Sequence, residues 1–107
     1  YLIHQKANVI LACAAWKDRV NIEDLLFAGA VVNRVKDHFT IPCDSSHIAA
    51  TLYNTAGNDL YGFLQSNNAS HFTRLMEYGL EKDIRYCLEP DRANVLPIYE
   101  NGKLKVY

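Results

Sequence analysis

Asn8-Val9-Ile10-Leu11-Ala12-Cys13-Ala14 is a near-continuous apolar run with β-branched members and no polar alternation. A run this short and this uniformly apolar predicts a strand covered on both faces, the kind that fills the middle layer of an α/β fold. After a polar turn, Asn21-Ile22-Glu23-Asp24 opens a helix expected to run to about Asp37. Asn21 is placed to accept from the free amides as N-cap, and Asp24 stands at N3, where a capping-box carboxylate reaches back to the cap. The apolar positions of this helix, Ile22, Leu25, Leu26, Phe27, Ala28, Ala30, Val31, Val32 and Val35, cover far more than one stripe. Such a helix needs packing on several sides.

A second helix can start at Asp44 or Ser45, with Ala49, Leu52, Tyr53, Ala56, Leu60, Phe63 and Leu64 at three- and four-residue spacings. Gly57 and Gly62 weaken it locally. Asn68 opens a shorter amphipathic helix with Phe72, Leu75 and Met76 on one face, closed by Gly79 as a left-handed cap with Leu80 as its hydrophobic contact. Glu81 to Leu88 adds two turns, with Ile84, Cys87 and Leu88 facing inward, and Pro90 prevents continuation. Asn94 to Tyr99 and Lys103 to Tyr107 read as strands joined through Asn101-Gly102 in a type I′ turn. Pro97 has no amide hydrogen, which assigns its strand to a sheet edge or a bulge.

These elements predict a layered α/β/α unit with a buried strand, several helices and a C-terminal β-hairpin, an incomplete part of a larger sheet. In a chain of 107 residues a helix apolar all round lacks partners, and Tyr1-Leu2-Ile3-His4-Gln5 reads like the last turn of an element already under way. Both features predict that sequence is missing before Tyr1, so that residues 1–107 form the C-terminal part of an α/β unit. Composition, at 50% hydrophobic and 21% charged residues, is that of a globular unit. A net charge of -1 from 11 basic and 12 acidic residues removes the electrostatic footprint of a nucleic-acid or anionic-membrane partner. No apolar run reaches the ~18 residues of a membrane span, and the first residues do not form a signal peptide. Cys13, Cys43 and Cys87 are odd in number and widely spaced, which argues against a disulfide framework or a zinc site and for a reducing, cytoplasmic compartment. Each sits among apolar neighbours and is expected as a small buried hydrophobe.

Three stretches carry a family resemblance: Val9 to Val32 (VILACAAWKDRVNIEDLLFAGAVV), Ser70 to Asp83 (SHFTRLMEYGLEKD) and Val95 to Val106 (VLPIYENGKLKV). In order and spacing they resemble the C-terminal portion of 2-phosphosulfolactate phosphatase, the magnesium-dependent hydrolase of the coenzyme M pathway. The most specific piece is a strand ending in Cys13-Ala14, a polar loop, then Glu23-Asp24 and the small-residue segment Ala28-Gly29-Ala30. The family pattern often has glycine where Ala15 stands, which bears on how closely the backbone there can approach a ligand. The resemblance implies a Mg²⁺-dependent phosphatase acting on 2-phosphosulfolactate or a related phosphorylated small acid. It further implies ester and metal contacts drawn from both halves of the domain, so that this chain alone is inactive.

Hydrolysis of a phosphate monoester needs cations to neutralise the phosphoryl oxygens, hard oxygen ligands for Mg²⁺ and a positioned nucleophile. In open α/β sheets the ligand lies beyond the carboxyl ends of the strands, where a loop leads into a helix N-terminus. Here that place is Ala15 to Asp24, which crowds Trp16, Lys17, Asp18, Arg19, Glu23 and Asp24 into one turn. Lys17 and Arg19 are the candidates to bind phosphate or sulfonate oxygens, one as a point charge and the other as a planar fork; the ordinary alternative is a solvated loop. Trp16 is the candidate pocket wall, against a packing role. Glu23 and Asp24 are the candidate catalytic carboxylates and Mg²⁺ ligands, although acids in a first helical turn also serve the helix dipole, for about 0.3 to 1 kcal/mol. His4, His38, His47 and His71 show no metal-binding spacing, and His71 reads as a surface or capping residue. A different class of function is an assembly domain whose apolar faces, Ile22 to Val35 and Ala49 to Leu64, dock on a partner chain. Self-association into a homo-oligomer is left open.

Overall fold

The computed structural model describes residues 1–107. Six helices are followed by one hairpin: α1 (Leu2–Gln5), α2 (Ile22–Val35), α3 (Asp44–Ala56), α4 (Leu60–Ser66), α5 (Ser70–Glu77), α6 (Glu81–Leu88), β1 (Pro97–Glu100) and β2 (Lys103–Val106). The fold is mixed α/β, with a small open sheet in which β1 and β2 pair antiparallel from Pro97↔Val106 to Glu100↔Lys103. Asn101 and Gly102, at φ 51° and 77°, make the expected left-handed turn between them.

The expected helix over residues 44–64 divides at Gly57. That residue adopts φ 62°, and Asp59 then starts α4 by accepting from the Gly62 amide at 2.8 Å. A glycine at positive φ followed by an aspartate cap is a complete stop-and-restart signal. α5 ends as its sequence predicts: Gly79 stands at φ 71° with its amide on the Met76 carbonyl, and the Leu80 amide returns to Leu75.

Core residues come from four helices and one connection. Leu26 of α2, Leu64 of α4, Ala69, Phe72 of α5 and Ile84 of α6 form a single buried cluster. On its other side α2 lies against α3 so closely that a methyl group on Gly29 would stand 2.1 Å from the Ala49 carbonyl oxygen. Ala28 and Ala49, both buried, complete this small-residue seam. Ten of the 107 residues are buried, a small core for a chain of this length.

Three expectations are corrected. The run from Asn8 to Ala14 joins no ladder: the sheet contains only β1 and β2, and Ile10 is 92% exposed. Strand burial is conferred by neighbouring strands, and this chain supplies none for that run. Phe27 is likewise 72% exposed, so α2 is covered on the Leu26 and Gly29 sides and bare on the third. Cys13, Cys43 and Cys87 are all exposed rather than buried. Cys13 belongs to the unpaired run, and Cys43 sits at the N-cap of α3. There the Ser45 hydroxyl and the Ser45 and Ser46 amides hold the Cys43 thiol below its usual range.

The α2–α3 seam yields a first test. Gly29→Ala must push two helix backbones apart, which costs about 1–3 kcal/mol, and the melting temperature of the full-length protein should fall by at least about 2 °C. An unchanged melting temperature would show that the helices do not approach this closely.

Candidate functional site

The segment from Ala15 to Asn21 leaves the unpaired run and reverses direction in four residues. Trp16 and Arg19 exchange backbone hydrogen bonds of 3.1 and 3.0 Å, and Lys17 and Asp18 between them lie at φ 50° and 58°. Two consecutive positive φ values across a two-residue connection define a type I′ turn. Ala15, immediately before it, is also left-handed at φ 61°. For a residue with a Cβ that conformation costs about 1–2 kcal/mol, and such strain persists where the surroundings hold it.

Asp24 provides the hold. Its Oδ2 accepts from the Ala15 amide at 2.8 Å, linking the turn to the first turn of α2. The expected capping box is therefore absent: Asp24 faces the loop, and Asn21, though buried, makes no side-chain cap. Glu23 turns elsewhere. Consecutive helical residues diverge by about 100°, and Glu23 Oε1 bonds His71 Nδ1 of α5 while its Oε2 is buried with no partner.

The reversed loop projects Trp16, Lys17 and Arg19 toward the start of α5. Arg74 lies over the indole with its guanidinium carbon 3.9 Å from the ring centroid, and Lys17 Nζ stands 5.8 Å from it. His71, whose ring is within 8° of parallel to the indole at 6.3 Å, closes the contact. A cavity of about 370 Å³ opens here, lined by Trp16, Lys17, Arg19, Asn21, Ser70, His71 and Arg74. No carboxylate lines it. The five ion pairs of the chain engage Arg34, His71, Arg85, Arg92 and Lys105, and none engages Lys17, Arg19 or Arg74.

The structure thus brings Trp16, Lys17 and Arg19 to one cavity and places Glu23 behind it through His71. It turns Asp24 away, toward a different cavity beside Ile10 to Ala14 and Phe27. No group of three or more His, Cys, Asp or Glu side chains is arranged to hold a metal ion. His71, read from sequence as a surface or capping residue, is instead a hydrogen-bond partner of Glu23 and a cavity wall. No motif in the sequence marks Arg74. The available signal is spacing: Arg74 falls four residues after Ser70 and three after His71, so it neighbours both on the surface of α5.

A family model for 2-phosphosulpholactate phosphatase matches residues 1–102. The chain is 33% identical over 105 residues to a protein of Clostridium tetani, covering 97% of this chain and 43% of that relative. A relative from Picosynechococcus is 36% identical over 106 residues, with 96% and 43% covered, and one from Thermotoga maritima 31% over 100 residues, with 94% and 42% covered. Each carries the name "Probable 2-phosphosulfolactate phosphatase". The chain therefore spans less than half the length of these relatives. No solved structure matches it.

The left-handed Ala15 yields a test of the turn. Ala15→Gly removes the Cβ penalty and adds back part of it as backbone entropy, so the variant should be more stable by about 0.5–1 kcal/mol and melt at a higher temperature. A fall in melting temperature would show that residue 15 is not left-handed.

Proposed function

Because this chain belongs to the 2-phosphosulpholactate phosphatase family, we propose that it carries the anion-gripping part of a phosphoric monoester hydrolase. The full protein would split 2-phosphosulfolactate, or a related phosphorylated small acid, to the hydroxy acid and phosphate. The observation that carries this reading is the cavity itself: three cationic side chains, none engaged by a carboxylate, surround a space with no acidic wall. Phosphoryl transfer asks little covalent work of a protein and much charge neutralisation at the transferred group. Lys17 supplies a point charge and Arg19 a fork for the phosphoryl oxygens, and Trp16 walls the space beside them. The volume, about 370 Å³, suits a small ester, near the lower end of ligand pockets generally.

Magnesium belongs to the same proposal. Mg²⁺ takes one or two carboxylates and completes its shell with phosphate oxygens and water. Glu23 fits that demand, since its Oε2 is buried and accepts no hydrogen bond; Asp24 fits it less, with Oδ2 already held by the Ala15 amide. When bound, the ion would draw charge from the phosphoryl oxygens. Neither carboxylate lines the cavity: Glu23 stands behind His71 and is the one of the two that keeps an unengaged buried oxygen, while Asp24 positions the loop.

The remaining part of the domain belongs to the proposal as well. A chain that spans 43% of its relatives' length, with an apolar run bare at Ile10 and a bare helix face at Phe27, is read here as one portion of a larger α/β unit. The absent portion would pair with the run and complete the ester and metal contacts.

With the full-length protein and Mg²⁺, phosphate should be released from 2-phosphosulfolactate. Lys17→Ala and Arg19→Ala should each lower kcat/KM by about ten- to a hundredfold, the worth of one charge-assisted hydrogen bond. Asp24→Ala should lower it by freeing the turn, without abolishing Mg²⁺ activation. Wild-type rates in both cation variants would remove the cavity from the reaction.

A further inference from the structure

Arg74 stands apart from the cations that sequence reasoning finds. It comes from a helix more than fifty residues beyond the turn, yet its guanidinium carbon lies 3.9 Å from the Trp16 ring centroid, which holds the head group at the cavity. Its Nε is buried with no hydrogen-bond partner. The end of the guanidinium left to meet a ligand is therefore the pair of terminal nitrogens, whose parallel N–H groups match two oxygens of one acid group.

Charge counting leads the same way. A phosphate monoester carries about −1.5 to −2 at neutral pH, whereas Lys17, Arg19 and Arg74 present three positive charges to one cavity. One cation is left over after the phosphate is matched. Lys17 and Arg19 belong to the Trp16–Arg19 turn, while Arg74 reaches the same cavity from α5, with Ser70 one helical turn before it.

We propose that Arg74, held against Trp16, is the specificity-determining residue of this cavity and grips a second acid group of the ester whose phosphate Lys17 and Arg19 hold. The group is a carboxylate or a sulfonate, since both offer two oxygens to the fork. This rests on the anion-cavity reading above, and it is finer, because it separates Arg74 from the two cations of the turn.

The test is binding, measured by calorimetry on the full-length protein, with three probes of one skeleton: ethyl phosphate, 3-phosphooxypropanoate and 2-phosphooxyethanesulfonate. Arg74→Ala should weaken the carboxylate or the sulfonate, or both, by about ten- to a hundredfold and ethyl phosphate by less than about twofold. The arm that responds more identifies the acid group. Arg74→Lys should recover little of the loss, because an ammonium has no fork. Lys17→Ala, by contrast, should weaken all three probes alike. An equal loss on all three in Arg74→Ala overturns the proposal, and so does the absence of any loss. If the variants bind as expected but the wild type releases no phosphate from any ester, Arg74 keeps its role and the phosphatase reading falls. If the wild type binds none of the probes, both fall together. Wild-type melting behaviour in each variant separates these outcomes from misfolding.

Discussion

The hydrogen bond from the Ala15 amide to the Asp24 carboxylate ties a strained turn to the helix that carries the core. Three left-handed positions within four residues, Ala15, Lys17 and Asp18, would relax in an isolated peptide. They hold because Asp24 sits two residues from Leu26, which is 2% exposed in the central cluster. A carboxylate accepting a backbone amide is a charge-assisted bond, stronger than a neutral one. The rigidity of α2 is thereby passed to the turn, and the turn aims Trp16, Lys17 and Arg19. The same helix places Glu23 on its neighbouring face, where it fixes His71 and so the start of α5. Both walls of the cavity are thus registered against α2.

Three unpaired cations in one place are an electrostatic burden that the rest of the chain avoids. Arg34, Arg85, Arg92 and Lys105 each meet a carboxylate within 3 Å. Repulsion between two like charges is near 1 kcal/mol at about 4 Å in water, weaker at longer range, and grows as water is excluded. The indole face of Trp16 offsets part of it, at about 0.5–1 kcal/mol for each cation near an exposed ring. An entering oxyanion reverses the sign of the whole balance.

Local signals account for what was legible in the sequence. The Asn101-Gly102 turn, the Gly79-Leu80 cap and the stop before Pro90 each need only neighbouring residues, and each appears where the pattern places it. Gly57 was recognised as a weak point but acts as a full break, because Asp59 restarts the helix two residues later. Burial was the harder property. It was inferred for Asn8 to Ala14 from composition alone, yet burial belongs to the partner strands and not to the run. The site divides the same way. Trp16, Lys17 and Arg19 lie on one loop and were legible as a group, whereas His71 and Arg74 could be placed on one helix face but not against any particular wall. That a histidine far along the chain would meet Glu23 is a fact of tertiary packing, to which helical spacing is blind.

The bare apolar run and the cavity are not independent features. Ala14 ends the run and Ala15 begins the turn, so any strand that paired with Val9 to Ala14 would fix the direction in which the turn leaves the sheet. Added ladder bonds would stiffen the entry to Ala15 on one side, as Asp24 stiffens it on the other. The cations would then be held between two rigid supports instead of one. Preorganised charge is what distinguishes stabilising a transition state from merely attracting an anion. On this account covering the Ile10 and Phe27 surface does more than bury apolar area: it would turn a cavity that binds into one positioned for chemistry.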